Sequence, residues 1–191
     1  MCCANSMRLL KILPALILLS CLTDKNVERK IYIEAIGWQF PLTYGTNFKD
    51  SSFDSKGKIV EEIPINGPSL RLFAIKDSSF GTLSAYVRKN TLKSSDWKAW
   101  HDEDTKLYFE QLGQLPQMQI LETKYYATTV DNLSFLVQYA RYMRKDQLYT
   151  VYVYHHFGRI KEIELDISFE YNKKLIGDKY MNIIHNSKFG D

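Results

Sequence analysis

Residues 118–169 decide the fold of this chain, and they read MQILETKYYATTVDNLSFLVQYARYMRKDQLYTVYVYHHFGRIKEIELDISF. Along most of this stretch apolar and aromatic residues alternate with polar ones, a pattern typical of strands that bury one face. Turn residues at Asp131-Asn132, Lys145-Asp146 and Gly158-Arg159 divide it into four segments of similar length. Because two-residue loops join antiparallel neighbours, the stretch predicts a four-stranded antiparallel meander.

Counting outward from these turns predicts the register of the meander. Tyr126 should lie opposite Val137, Val137 opposite Tyr154, and Tyr154 opposite Ile163. One face then collects mainly aromatic and aliphatic residues: Phe135, Val137, Tyr139, Tyr152, Tyr154, Ile163, Leu165 and Ile167. The other face is mixed in composition: Gln138, Glu162, Glu164, Asp166, Ser168, Leu136, Val151 and Val153. Because that second face is partly apolar, we expect another element to pack over part of it.

Further strands are predicted upstream of the meander. Alternation indicates a strand at about residues 30–40 and a short one at 59–65, which Pro64 would push to a sheet edge. Residues 70–75 and 83–88 form a predicted hairpin across a turn-rich connection.

Two helices complete the predicted fold. Ser94-Ser95-Asp96 is a favourable N-cap cluster before an amphipathic helix that starts at Trp97 and ends near Gly113 and Pro116. A second helix is expected at residues 171–186. The order of three or four strands, a helix, four antiparallel strands and a helix predicts an α+β fold, an antiparallel sheet with helices packed on it.

This chain resembles the PsbP-like fold, which is named for an extrinsic protein of photosystem II. The resemblance is carried by Trp38-Gln39-Phe40-Pro41, the Trp97 helix, the aromatic meander and a final helix closing on Asn186-Ser187-Lys188-Phe189. The fold is shared with a Ran-binding nuclear import factor and many small bacterial lipoproteins, whose functions are unrelated. The resemblance therefore implies an architecture and no particular activity.

The amino-terminal segment has the features of an export signal. A basic start is followed by an apolar run at residues 9–19, about eleven residues where a membrane-spanning helix needs roughly twenty. Leu18-Leu19-Ser20-Cys21 resembles the lipobox of bacterial lipoproteins. That resemblance implies a diacylglyceryl thioether on Cys21, cleavage before it, and acylation of the new amino terminus with a fatty acid such as palmitate. Translation from Met7 would give a more ordinary signal than translation from Met1, and both starts stay open.

We therefore expect a cleaved signal peptide at residues 1–20, a lipidated tether at 21–29 and a single α+β domain at 30–189. The cysteines are Cys2, Cys3 and Cys21, so the domain has no thiol for a disulfide, a metal or a nucleophile. The chain has 25 basic and 22 acidic residues; without Arg8 and Lys11 of the signal the balance is 23 minus 22, or +1. That balance argues against a nucleic-acid partner.

The residue after the lipidation site predicts the membrane. Leu22 stands where an aspartate retains lipoproteins at the inner membrane of enteric bacteria. By that rule we expect the lipid to hold the protein in the outer membrane, with the domain in the periplasm.

One candidate ligand site lies on the meander. The predicted register puts Glu122 opposite Arg141, on the face that also carries Tyr139, Tyr152 and His156. Charges on an aromatic face are costly unless they pair or open to a cleft. Two interpretations stay open: an ion pair at the end of the sheet, or a polar pocket for an anionic or sugar-like ligand.

Other titratable clusters favour structural roles. Residues 101–104 (His-Asp-Glu-Asp) are interpreted as a solvated acidic helix face. Consecutive helix residues point in different directions, so His101 can share a side of the helix only with Asp104 or with Thr105. His155 should pair with Glu162 as a surface pair. No metal or cofactor site is predicted.

The sequence carries no catalytic signature such as GxSxG, HExxH, a P-loop or CxxC. We therefore expect a non-catalytic binding or assembly domain, tethered to a membrane, with an envelope protein or a small ligand as partner. The alternative is a lipid-anchored hydrolase with dispersed catalytic residues.

Overall fold

The computed structural model describes residues 28–43, 47–50, 63, 65, 68–77 and 81–190. The strands in these ranges are β1 (Glu28–Ile33), β2 (Trp38–Thr43), β3 (Asn47–Asp50), β4 (Leu70–Asp77), β5 (Gly81–Lys89), β6 (Met118–Val130), β7 (Leu133–Arg144), β8 (Tyr149–Ile160), β9 (Ile163–Tyr171) and β10 (Lys188–Phe189). The helices there are α1 (Ser94–Gln114) and α2 (Lys174–His185). The expected signal peptide and lipidation site lie outside the described residues.

The strands form two antiparallel sheets. The large sheet has seven strands in the order β3-β4-β5-β9-β8-β7-β6, and the small sheet has the order β1-β2-β10. The meander is therefore contiguous and continues through β9 into the upstream hairpin of β4 and β5. This architecture confirms the predicted α+β class and the predicted order of helix, four-stranded meander and helix. In the described ranges, five strands instead of three or four precede α1, and the short β10 follows α2.

The main core lies between one face of the large sheet and a layer made of α2 and the small sheet. Aromatic rings bridge the two sheets: Trp38 and Phe40 of β2 have centroids 4.6 Å apart, and Phe40 lies 5.0 Å from Phe73 of β4. Tyr180 of α2 is fully buried against the same layer. Both α2 and the small sheet therefore depend on one face of the meander for burial.

Helix α1 covers part of the opposite face. Leu112 packs with Ala140, Tyr142 and Val151, and Trp97 packs with Leu136 and Phe157 in a second group. The expectation that an element would pack over the mixed face is confirmed. In the described ranges, neither helix combines the length and the apolar character needed to cross a membrane.

The single strand predicted at residues 30–40 is wrong, because the chain reverses within it. A 3-10 turn at Glu34–Ile36 separates β1 from β2, and these strands pair with each other. Gly37 ends the turn at φ 60°, a left-handed conformation that glycine adopts without a steric penalty.

Two of the three predicted meander turns are also misplaced. The Asp131-Asn132 turn is confirmed, because Val130 pairs with Leu133. The second loop spans residues 145–148 instead of Lys145-Asp146, and the third is Lys161-Glu162 instead of Gly158-Arg159.

Gly158 is a strand residue because of its neighbour in β7. A Cβ atom at this position would lie 2.6 Å from Cε1 of Phe135, so the glycine makes room for that ring. The turn instead uses Lys161 at φ 56°. Val137 consequently lies opposite His156, and Tyr154 opposite Phe169.

The remaining predicted elements agree with the structure except at their ends. The upstream hairpin is confirmed by the pairs Ala74 with Ser84 and Ile75 with Leu83. Helix α1 has Lys93 at its N-cap and no capping side chain, so the serines of the predicted N-cap cluster lie inside its first turn. The strand predicted at residues 59–65 falls mostly outside the described residues, although Ile65 forms an isolated bridge with Lys89.

Candidate functional site

The predicted charged pair on the meander lies where β6 and β7 run side by side. Glu122 follows a bulge in β6 and is opposite Arg141 of β7, as predicted. The Glu122 carboxylate lies 3.5 Å from Nη2 of Arg141 and 2.7 Å from Nζ of Lys124. Since the side chains of all three residues keep about a third or more of their surface exposed, they form an accessible charged cluster.

A row of tyrosines extends from this cluster across the sheet. The Tyr139 hydroxyl donates a hydrogen bond of 3.4 Å to Glu122, and its ring lies 4.6 Å from that of Tyr154. Tyr152 lies opposite Arg141 in β8 and stacks on Tyr171 at 4.9 Å. Four of the five predicted ligand residues therefore share one continuous patch.

Neighbouring charges and burial set the protonation states of the carboxyl and phenol groups in this patch near neutral pH. A hydrogen bond from Lys124 lowers the pKa of the Glu122 carboxyl, with further help from the charge of Arg141. Burial raises the pKa of Tyr139 to about 12 and also raises that of Tyr154. The cluster therefore presents one carboxylate and two cations beside phenols that can donate hydrogen bonds.

His156, the fifth predicted residue, lies deeper in the core. Its side chain is on the same face but is only 3 % exposed, and its ring lies between those of Phe135 and Phe169 at 6.1 and 5.5 Å. Burial, together with the charges of His155 and His185, lowers its pKa to about 4. A neutral core histidine of this kind is not placed to bind a ligand with Glu122 and Arg141.

A buried carboxylate that was not predicted lies beneath the start of α1. Strand alternation predicts Glu164 of β9 on a polar face, but only 4 % of this residue is exposed. Arg88 Nη2 donates to its Oε1 at 2.7 Å, and Asn90 Nδ2 donates to its Oε2 at 2.7 Å. Trp97 Nε1 donates to the same Oε2 at 2.8 Å.

These partners keep Glu164 ionised. Burial alone would raise the pKa of this carboxyl, but His101, Asn90, Arg88 and Trp97 together lower it to about 2. Its oxygens are occupied by donors from β5, the following loop and α1, so the carboxylate acts as a structural anchor for the helix. In the sequence, the spacing of Trp97 and His101 at i and i+4 indicates that one side of α1 is aromatic and faces the sheet. This spacing is the local signal for a buried site beneath the helix.

The interpretation of residues 101–104 as a solvated face is wrong for His101. Its side chain is 1 % exposed, with Nε2 lying 3.7 Å from Oε1 of Glu164 and its ring 4.4 Å from that of Phe157. It shares this buried side of α1 with Thr105, whose hydroxyl donates to the His101 carbonyl at 2.6 Å. The helix turns His101 inward because its neighbours on the sheet are aromatic.

The predicted pairing of His155 with Glu162 is also wrong. The displaced turn puts Glu162 in the loop, so His155 lies opposite Ser168 and its Nδ1 is 3.5 Å from Oδ1 of Asp166. In the described ranges, no group of three or more His, Cys, Asp or Glu side chains is arranged to hold a metal ion.

Comparison with known proteins identifies the fold. No protein-family model and no curated protein matches the sequence. The solution structure of CyanoP, the cyanobacterial PsbP of Synechocystis sp. PCC 6803, aligns with a TM-score of 0.55 at 8 % identity, covering 85 % of this chain and 92 % of that one. The domain therefore has a PsbP-like α+β fold, and at this identity the likeness shows the fold alone.

Two further structures align less closely. LpqN, described as involved in cell envelope biogenesis of Mycobacterium tuberculosis, is 13 % identical with a TM-score of 0.46, covering 86 % of this chain and 91 % of its own. The Ran-binding protein Mog1p of Saccharomyces cerevisiae is 10 % identical with a TM-score of 0.42, covering 86 % and 96 %. Neither likeness adds to the assignment of the fold.

Proposed function

We propose that this protein is a bacterial envelope lipoprotein, held to a membrane by lipid on Cys21, whose PsbP-like domain serves as a non-catalytic binding or assembly module. The observation that carries the proposal is the short h-region ending in Leu18-Leu19-Ser20-Cys21, seven residues before the first described strand begins at Glu28. A signal, a lipidation site and a folded domain thus follow one another in the order found in lipoproteins.

The spacing keeps the domain close to the membrane. Seven residues reach at most about 25 Å when fully extended, at about 3.3–3.6 Å per residue. A diacylglyceryl group and an amino-terminal acyl chain would together anchor the protein stably, since one chain alone gives only marginal binding. A domain held at this height can meet membrane-associated partners without spanning the bilayer itself.

Two titratable groups favour binding over hydrolysis as the role of the domain. The Glu164 carboxylate, with a pKa of about 2 and donors on both oxygens, is a weak candidate for a general base. His156 is buried among aromatic rings, away from solvent. The alternative, a lipid-anchored hydrolase, would have to draw its catalytic groups from elsewhere in the chain.

The anchor is tested by Cys21→Ala in the native host. We expect the variant to accumulate as a precursor that retains its signal peptide, and to incorporate no labelled palmitate. Asn26→Ala is the matched control, because it changes a residue outside the lipobox that both translation starts retain, and it should leave both processing and labelling intact. Labelling of the Cys21→Ala protein, or a mature amino terminus at another residue, would refute the proposal.

The choice of membrane has its own test. Leu22→Asp should move the protein to the inner-membrane fraction of a density gradient if the aspartate rule operates, whereas Leu22→Asn should stay with the outer membrane. Recovery of the wild-type protein from the inner membrane would contradict the outer-membrane assignment while leaving the lipid anchor untouched.

A further inference from the structure

A cleft of about 610 Å³ lies between the first turn of α1, the β6–β7 hairpin and the turn that joins β8 to β9. Its apolar wall is formed largely by Leu133 and Leu136 of β7, while Phe135 between them turns its ring into the main core. The volume falls in the range of about 300–1,000 Å³ that is usual for pockets holding small organic molecules. It is a different surface from the Glu122 cluster.

The charged residues of the cleft are all cations. Among its described lining residues are Lys98 of α1, Arg159 of β8 and Lys161 of the following turn, and these lining residues include no aspartate or glutamate. Among the residues that the structure describes, none of the three has a carboxylate partner. Their positive charge is therefore left for a ligand to neutralise.

Arg159 has hydrogen-bonding capacity that the described protein leaves unused. Its Nε donates to the carbonyl of Lys161 at 3.0 Å, and its Nη2 donates to the carbonyl of Asn90 at 3.1 Å. Its Nη1 is buried but finds no acceptor among the described residues. A buried guanidinium N–H without an acceptor is costly, and a small rotation of the Arg159 side chain towards the cleft would let an anion there accept from it.

The end of α1 adds to the positive potential of the cleft. Ser94, the first residue of this helix, lines the cleft, and Lys93 at the N-cap makes no capping bond through its side chain. The first backbone N–H groups of a helix are unpaired within it and carry partial positive charge. This partial charge adds to the full charges of the three side-chain cations, which dominate the potential of the cleft.

The cations of the other two polar clusters already have a carboxylate partner. Glu122 faces Lys124 and Arg141 on the tyrosine patch, and the Glu164 carboxylate is saturated by its donors. The cleft differs from both because its cations lack a carboxylate and its wall is apolar.

We propose that this cleft binds a small organic anion, in which a phosphate or carboxylate group meets Lys98, Arg159 and Lys161 while a short apolar body packs against Leu133 and Leu136 of β7. The inference deepens the proposed function by giving the binding domain a ligand class. It depends on the domain being a binding module, and it does not depend on lipid at Cys21.

The test uses full-length protein isolated from cells, kept in phosphatidylcholine nanodiscs, with backbone amide chemical shifts as the measurement. Phenyl phosphate is the probe, and inorganic phosphate and phenol separate its charge from its ring. We expect phenyl phosphate to shift amides lining the cleft and to bind about tenfold more tightly than either fragment.

Charge-matched double variants locate the site. Lys98→Gln with Lys161→Gln removes two exposed cleft lysines and should weaken phenyl phosphate binding about tenfold while leaving Tm unchanged. Lys106→Gln with Lys174→Gln makes the same change in net charge at exposed positions outside the cleft lining, and should leave affinity unchanged. Equal weakening in both variants, equal binding of phenol, or shifts confined to the tyrosine patch would overturn the proposal.

A final arm distinguishes a soluble anion from a lipid headgroup. Phosphatidylglycerol in the nanodisc should compete with phenyl phosphate if the natural anion is a headgroup, and should have no effect if it is soluble. Failure of phenyl phosphate to bind a protein that is acylated on Cys21 would refute the cleft proposal alone. Binding by a protein that is not acylated there would refute the anchor alone.

Discussion

The indole nitrogen of Trp38 donates a hydrogen bond of 2.9 Å to the hydroxyl of Ser187, which lies 149 residues further along the chain. The Ser187 hydroxyl in turn donates to the carbonyl of Ile183 at 2.9 Å. Both partners of the indole bond are buried, Trp38 in the small sheet and Ser187 just after α2. This chain of two bonds fixes the small sheet to the end of the helix that shares its core.

Replacement of Ser187 tests that connection. Ser187→Ala leaves the buried indole N–H without its acceptor and should lower the free energy of unfolding by about 1–3 kcal/mol. Urea unfolding followed by Trp fluorescence measures the change. Ser69→Ala, at an exposed position before β4, is the control and should lie within about 0.5 kcal/mol of wild type. Equal stability of the two variants would mean that the indole bond contributes nothing.

The turn between β1 and β2 should not tolerate a side chain. Gly37→Ala would place a Cβ against the carbonyl of Gly190 and force alanine into a left-handed conformation, so it should destabilise the protein by more than about 1 kcal/mol. Gly113→Ala provides the opposite case, because its Cβ meets nothing within 4 Å and the residue lies in α1. That change should stabilise the protein by roughly 0.5–1 kcal/mol. Thermal unfolding of both variants is the measurement, and destabilisation of similar size in both would contradict the steric explanation.

The buried Glu164 predicts how stability depends on pH. Its pKa in the folded protein, about 2, is below the ordinary value of 4.5, so the folded state favours the ionised form. The resulting stabilisation is complete above the unfolded-state pKa and is lost as pH falls from about 4.5 towards 2, an effect on the order of 3 kcal/mol.

Glu164→Gln removes the titrating group. The variant should be less stable than wild type near neutral pH, and its free energy of unfolding should fall less steeply between about pH 5 and pH 2. Glu162→Gln, in the exposed turn, is the control and should retain the wild-type slope. An unchanged slope in the Glu164 variant would show that other carboxylates dominate acid unfolding.

The charged cluster on the meander should contribute less to stability. Arg141→Gln removes a partly exposed cation 3.5 Å from Glu122, while Lys124 stays 2.7 Å from the same carboxylate. The loss in free energy of unfolding should therefore be smaller than for Ser187→Ala, since exposed ion pairs are weak. A loss as large as that of Ser187→Ala in the same urea titration would indicate a pair that water does not reach.

The faces of the meander could be predicted even though two of its turns could not. The predicted partner of Val137 is displaced by two residues and that of Tyr154 by six, from Ile163 to Phe169. Both displacements are even, and side chains alternate with a period of two, so the predicted residues that lie in strands keep their predicted faces. This is why Tyr152 and Tyr154 lie on the face of Tyr139, whereas the pair of Glu122 and Arg141 follows from the correctly predicted turn between β6 and β7.

The turn between β8 and β9 was misplaced because Gly158 serves a packing role. Gly158 has the composition of a turn residue but makes space for Phe135, while Lys161 adopts the positive φ. The buried carboxylate was missed for a different reason. Its partners Arg88, Asn90 and Trp97 are 67 to 76 residues away in sequence. The repeat of Trp97 and His101 indicates which side of α1 is buried, but not which part of the sheet that side covers.

The pairing of β10 with β2 sets the order in which this domain can be completed. Gln39 and Lys188 are partners, so the small sheet closes only after the whole intervening chain, including the large sheet, is available. Until then one edge of β2 is open, and Trp38 lacks both Ser187 and the ring of Phe189 that stacks 5.8 Å away. A polypeptide exported from its amino terminus would thus keep this aromatic cluster incomplete until β10 had crossed the membrane, which would delay folding during the period when an unfolded chain is required.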